Sequence, residues 1–331
     1  MFGRDDLCYA NIIVGWDRFV LALIVIDLSD LAIMEGARMR KDLWENTQLA
    51  DKAFPFNVFH TRFQEQDFLQ LHWHEHFEMI LVERGFATLH IGGKPFDAKA
   101  GDVFLINSGE LHAIYQPGDS FTFYAIVFHP SLIGLQTSDL LETDLVSSYS
   151  NGNRAFVNRP DPNDAHFALF LQTLNSLIME FQLKETGYEQ AVKALVRLLF
   201  TWSLRWYAME LYPDNQMGAY KQKAARFKDL LRHIEVHYAN KITLEQAASI
   251  VHLSPYHFCK AFKKMTGLTF VQFVNQYRVQ EAEKLLRNTS LSVTEIADRI
   301  GCASINGFSK LFKQHRGMSP NKLRTAEQPP R

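Results

Sequence analysis

The hydrophobic rhythm of the chain changes twice. From about Phe54 to Phe128, short β-branched and aromatic runs alternate with turn residues. Phe77–Glu83, Ala87–Ile91, Asp102–Ile106 and Phe121–Phe128 have the composition of strands, and Gly85, Gly92-Gly93, Gly101, Gly109 and Pro117-Gly118 punctuate them. Short strands repeating every ~8–12 residues predict a β-barrel or sandwich. After Pro160-Asp161-Pro162 the period lengthens. Phe167, Phe170, Leu171, Leu174, Leu177, Ile178 and Phe181 recur at spacings of three and four, as do Tyr188, Ala191, Leu195, Leu198, Trp202 and Trp206. Two amphipathic helices divided at Gly187 are expected. They would cover one face of the barrel or form a dimerisation seam on a 3.5-residue repeat, and different faces can do both.

Residues 214–226 read as a linker. Beyond them the pattern is helical, with helices predicted over 227–238, 244–251, 255–266, 270–287, 293–300 and 305–316. Ser254, Thr269, Ser292 and Ser304 stand in N-cap positions. The predicted organisation is therefore multidomain α+β. Residues 1–38 form an extension that fits nothing downstream, with Met34 or Met39 as candidate translation starts. A β-barrel follows over 39–160, a helical dimerisation or packing segment over 161–213, the linker, and an all-α domain over 227–326.

With 331 residues, 47% of them apolar and 21% charged, the composition is that of folded domains and excludes a disordered or collagenous chain. The formal net charge of −1 conceals a division. Residues 1–219 carry 16 basic and 28 acidic side chains, whereas residues 220–331 carry 19 basic and 8 acidic. A basic half of this kind suits a polyanion. Cys8, Cys259 and Cys302 show no metal-ligand spacing and fit a reduced, cytoplasmic protein. The apolar run from Phe19 to Met34 is broken by Asp27, Ser29 and Asp30 and is short of the ~20 residues that span a bilayer, so no membrane partner is expected.

The basic half repeats itself. Leu244, Ala248, Phe258, Phe262-Lys263 and Gly267 align with Val293, Ala297, Phe308, Phe312-Lys313 and Gly317, at 49 positions for the alanines and 50 for the phenylalanines and glycines. The extra residue must lie in the turn between paired helices, where an insertion costs least. Each copy reads as a helix-turn-helix: a small residue in the first helix allows close crossing, and the second opens on a serine cap. Gly301 suits the positive φ of such a turn; His252 in the first copy suits it less well. The connecting helix, roughly 27 Å at 1.5 Å per residue, would set the two second helices near the ~34 Å spacing of successive major grooves.

These residues resemble the AraC/XylS transcriptional regulators over about 227–324. The family pattern of Gly-Phe, Phe-Ser-Arg-x-Phe-Lys, Gly-x-Ser/Thr-Pro and Tyr-Arg is approached by Gly301-Cys302, Phe308-Ser309-Lys310-Leu311-Phe312-Lys313, Gly317-Met318-Ser319-Pro320 and Leu323-Arg324. Cys302, Leu323 and Phe270 depart from the usual Phe, Tyr and Pro. The resemblance implies base contacts from Tyr256, Cys259 and Lys260 in the first motif and from Ala303, Ile305, Asn306 and Lys310 in the second. Lysine can donate to guanine, asparagine can pair with adenine, and Ile and Tyr can pack on a thymine methyl. His257, Lys263, Lys264, Lys313 and Arg316 are candidates for phosphate contacts.

In the acidic half, His72, His74, Glu78 and Gly85 fit H-x-H-x3-E-x6-G, while Gly101, Gly109 and His112 fit G-x5-P-x-G-x2-H with Asn107 in place of Pro. Together they resemble the two cupin motifs over about 55–130, which implies a cupin-like sensor barrel. Strand alternation would put His72, His74, His76 and Glu78 on one face, with His112 arriving from a separate strand. Three readings stand open. His72, His74, Glu78 and His112 would hold a divalent metal; or they would hydrogen-bond a polar ligand, with Trp73, Phe77, Phe104 or Tyr115 as stacking surface; or they are a vestige at the barrel mouth. No other catalytic constellation is present. The expected function is a DNA-binding regulator, not an enzyme and without an obligate cofactor. The resemblance implies an activator that responds to a sugar-like metabolite, binds promoter DNA as a homodimer and recruits RNA polymerase. The alternative is a metal-dependent cupin enzyme, dioxygenase or isomerase, fused to a DNA-binding domain.

Overall fold

The computed structural model describes Leu49 and residues 53–64, 67–115, 118, 120–133, 146–209 and 214–327, with side chains described from 221 to 325 in the last stretch. The expected extension over 1–38 and both candidate starts lie outside the described residues.

Among the described residues, eight strands form two antiparallel sheets. β1 (Phe56–Gln64), β8 (Ser120–Phe128), β3 (Phe77–Arg84) and β6 (Val103–Ile106) lie side by side in that order, as do β2 (Leu69–His72), β7 (His112–Tyr115), β4 (Phe86–Ile91) and β5 (Lys94–Lys99). Both faces of each sheet have work to do. Ile80, Val82, Leu89, Ile91, Phe104, Ile106, Ile114, Phe121 and Phe123 fill the space between the sheets. The alternate positions Phe77, Met79, Leu81, Leu105, Ile126 and Phe128 point the other way, onto α1 (Phe167–Leu183) and α2 (Tyr188–Trp206). That two-sided burial explains why β3 reads as a continuous apolar run rather than an alternating one. Gly187, at φ 90°, opens α2 where the sequence divided the two helices.

The outer face of the second sheet is also covered. Leu71, Trp73, Leu111, Ala113 and Tyr115 share one core with the helices of the basic half. The expected linker is the main correction. Helix α3 runs unbroken over Asp214–His237. Residues 219–226, Ala-Tyr-Lys-Gln-Lys-Ala-Ala-Arg, are largely strong helix formers, and the single Gly218 costs only about 1 kcal/mol relative to Ala.

The repeat appears as predicted. α4 (Leu244–Ile250) and α5 (Pro255–Thr266) are matched by α7 (Val293–Arg299) and α8 (Ile305–Arg316), with α6 (Phe270–Asn288) between them. The first helices are offset by 49 and the second by 50, so the extra residue does fall in the turn. His252 (φ 55°) and Gly301 (φ 73°) occupy equivalent left-handed turn positions. A Cβ at Gly301 would meet the Ala239 carbonyl oxygen at 1.9 Å, so only glycine fits there. Ser254, Thr269, Ser292 and Ser304 each accept a backbone N–H in the first turn of their helices. A last helix, α9 (Pro320–Glu327), was not anticipated, although Pro320 in its first turn and Ser319, which accepts the Lys322 N–H at 3.3 Å, announce it.

Candidate functional site

His72, His74, Glu78 and His112 meet at one point. One ligand atom from each lies within 4.8 Å of all the others, and the four side chains are buried. The expected single strand does not exist. β2 ends at His72, the chain crosses between sheets at 73–76, and β3 restarts at Phe77. His72 and Glu78 therefore arrive from different sheets, His74 from the crossing and His112 from the start of β7. His76 is half-buried and lies outside the group, its ring 5.5 Å from that of His129. Two turns hold the ligand-bearing loops together: Gly109 N donates to the His74 carbonyl at 2.8 Å and Ser108 Oγ to the Glu75 carbonyl at 2.8 Å. Asn107, the departure from the cupin pattern, exchanges hydrogen bonds with Phe156 and donates to Glu110.

The ring orientations define the chemistry. Nδ1 of His72, His74 and His112 faces the carbonyls of Gln70, His76 and Glu110 at 2.9, 3.1 and 2.9 Å. A carbonyl only accepts, so each Nδ1 carries a proton and Nε2 is the atom turned toward the centre, a lone pair there whenever the ring holds no second proton. Nε2 of His74 and His112 lies 2.9 and 3.1 Å from Glu78 Oε2. Two lone pairs against a carboxylate repel one another unless positive charge joins them, as a second ring proton or as a cation. Burial by itself pushes the Glu78 carboxyl up. Hydrogen bonds and positive charge from His112 and His74 outweigh it and hold the group well below the usual carboxylate range. Three imidazole nitrogens with oriented Nδ1–H groups and one carboxylate are a donor set for a divalent transition metal. Ligands at about 2.1 Å from one ion lie at most about 4.2 Å apart, so a small contraction would close the observed group around it.

Two other expected pocket residues are elsewhere. Trp73 and Tyr115 are buried on the outer face of the sheet, against the basic half rather than in the barrel. Neighbours along a strand face opposite ways, so Trp73 cannot line the side that His72 lines, and Tyr115, three after His112, is likewise outside.

On the basic half, Tyr256, His257, Cys259, Lys260, Lys263 and Lys264 of α5 are exposed, as are Ala303, Ile305, Asn306, Lys310 and Lys313 around α8. Phe258, Phe262, Phe308 and Phe312 face inward and fix which sides the helices present. Lys260 Nζ stands 4.6 Å from the centre of the Tyr256 ring. Arg316 departs from expectation. It is largely covered, pairs with Glu283 at 2.6 Å and lies over Phe68 at 5.1 Å, so its charge is engaged within the protein.

The chain is similar to known proteins over both halves. The AraC-like ligand binding domain matches residues 54–189, and a helix-turn-helix domain matches 247–326. The uncharacterized HTH-type transcriptional regulator YdeC of Bacillus subtilis is 27% identical over 87% of this chain and 97% of its own length. The HTH-type transcriptional activator RhaS of Escherichia coli is 26% identical over 80% of this chain and 90% of its own. Among solved structures, ToxT of Vibrio cholerae aligns over 82% of this chain and 98% of its own with 14% identity and a TM-score of 0.41. The chain is an AraC-type DNA-binding transcription regulator with a ligand-binding domain. Among the described residues no helix is long and apolar enough to cross a membrane.

Proposed function

We propose that the protein is a one-component transcription activator whose effector site is the His72/His74/Glu78/His112 centre, and that this centre takes a divalent transition-metal cation. The observation that carries the reading is the convergence of three oriented imidazoles and a carboxylate to within 4.8 Å. One ion can touch four donors that close together. A sugar ring, the effector that the family resemblance implied, would need them spread around it. The relatives named activators support the sense of regulation and, with it, contact with RNA polymerase. Metal analysis of protein purified without chelator, paired with promoter binding before and after EDTA, tests the reading. Near-stoichiometric metal and a changed DNA affinity are expected; absence of both would refute it.

In this reading α5 and α8 enter successive major grooves, joined by a 19-residue helix of about 28 Å. Tyr256, Cys259, Lys260, Ala303, Ile305, Asn306 and Lys310 face bases, while His257, Lys263, Lys264 and Lys313 face phosphates. Asn306→Ala should lose about 1–3 kcal/mol of discrimination at one base position. Binding-site selection would show one column of the preferred sequence flattened and the rest intact.

The homodimer is assigned to α1. Leu169, Gln172, Ser176, Met179 and Leu183 are all exposed, at spacings of three and four that alternate as in a coiled-coil seam. On the neighbouring helix Ala194, Leu198 and Thr201 continue the exposed surface. A two-fold interface counts each substitution twice, and a buried leucine contributes about 1.5–3 kcal/mol. Leu183→Glu should therefore weaken dimerisation by about 100-fold or more, read as a monomer by light scattering with metal uptake unchanged.

A further inference from the structure

The two strands that supply His72 and His112 to the centre carry, on their opposite faces, the surface that holds the DNA-binding half. Leu71 and Trp73 flank His72, and Leu111 and Ala113 flank His112; all four lie in one core with Phe227, Leu230 and Leu231 of α3 and with Phe258, Phe262 and Met265 of α5. Trp73 is the centre of this contact. Lys228 Nζ lies 5.7 Å and the Arg232 guanidinium 5.3 Å from its ring, two cations one helical turn apart on one indole. Burial, and then the charge of Arg232, lower the Lys228 pKa, while Glu75 and Glu110, in the loops beside His74 and His112, partly oppose them. The contact extends to the ends of both reading helices. His90 packs on Gly267, which caps α5; Met265 packs on Gly93 in the β4–β5 turn; and Arg316, at the end of α8, lies over Phe68.

We propose that the outer face of β2 and β7 is a clamp on the tandem helix-turn-helix domain, and that the state of the histidine centre on the inner face of the same strands sets its grip. The step rests on the centre's being the effector site. Adjacent residues of a strand cannot move independently, so drawing His72 and His112 toward an ion must displace Leu71, Trp73, Leu111 and Ala113, and with them α3 and the ends of α5 and α8. A site coupled to DNA affinity must have different contacts in the two states, and Trp73 with its two cations is where they would differ.

The full-length chain provides the test. Promoter affinity of wild type with and without Zn²⁺ should differ by about 5–150-fold, the usual range of allosteric coupling. Trp73→Ala and the double variant Lys228→Ala/Arg232→Ala should bind the same amount of Zn²⁺ but shift DNA affinity less than about 2-fold. Variants that keep the full wild-type shift would overturn the clamp. Wild type that takes up no metal would instead remove the cation reading, and a second measurement then decides the clamp. Hydrogen exchange over Phe227–Ile234 should quicken in Glu78→Gln, a change made entirely inside the barrel. Unchanged exchange there would show that the centre does not reach the helix.

Discussion

Glu78→Gln will emerge from purification without metal, and its affinity for added Zn²⁺ will be lower by at least about 100-fold. Glutamine has the same shape, so the barrel has no cavity to fill. What disappears is the only negative charge among the four donors, and an amide is a poor ligand for a transition metal. The same change removes the partner of His74 and His112. Breaking a buried charged pair from one side costs about 3–5 kcal/mol, so the melting temperature should fall as well. Elemental analysis after gel filtration and titration calorimetry check the first effect, and thermal denaturation the second. His76→Gln is the matched control. Its ring lies outside the group, beside His129, so metal content should stay at the wild-type level. Full occupancy in Glu78→Gln would show that the carboxylate is not a ligand.

The membership of that centre was legible in the sequence, but the path of the chain through it was not. The resemblance to the two cupin motifs picked His72, His74, Glu78 and His112, because motif positions survive whatever the backbone does between them. Alternation then put His72, His74 and Glu78 on one strand, with His112 on another, since nothing in Leu71 to Glu78 announces that the chain crosses between sheets. The same parity argument, applied to neighbours, would have excluded Trp73 and Tyr115 from the pocket. Both were chosen for chemical type, and a buried aromatic beside a ligand looks the same in sequence whether it faces a small molecule or another domain. Arg316 failed for a related reason. A lysine or arginine on a basic face reads as available, and Glu283 and Phe68 come to it from distant positions that no local pattern reveals. The repeat was legible to the residue, because it compares the chain with itself and needs no assumption about the fold.

The repeat conceals an asymmetry in support, and Phe312→Ala should expose it. Phe262 and Phe312 are equivalent positions, both buried without residual exposure. Phe262, however, belongs to a core that includes Leu71, Trp73, Leu111 and Tyr115 of the barrel. Phe312 belongs to a smaller one of Val279, Ala282, Leu286, Ile296, Ala297, Ile300, Phe308 and Leu323, drawn from the second motif, α6 and α9, with no barrel residue among them. Removing a buried phenylalanine costs about 3–5 kcal/mol, against a stability of about 0.05–0.15 kcal/mol per residue for an ordinary domain. A segment of some fifty residues with one small core has little beyond that. The second motif should therefore melt at physiological temperature while barrel and first motif stay folded, and calorimetry should resolve two transitions where wild type shows them closer together. On DNA, the footprint should contract to one half-site. With Lys310 and Lys313 withdrawn, the slope of log affinity against log salt should shrink by about 1–2 units. Phe262→Ala should behave differently: its loss is felt on both sides of the clamp, so barrel and first motif should lose stability together.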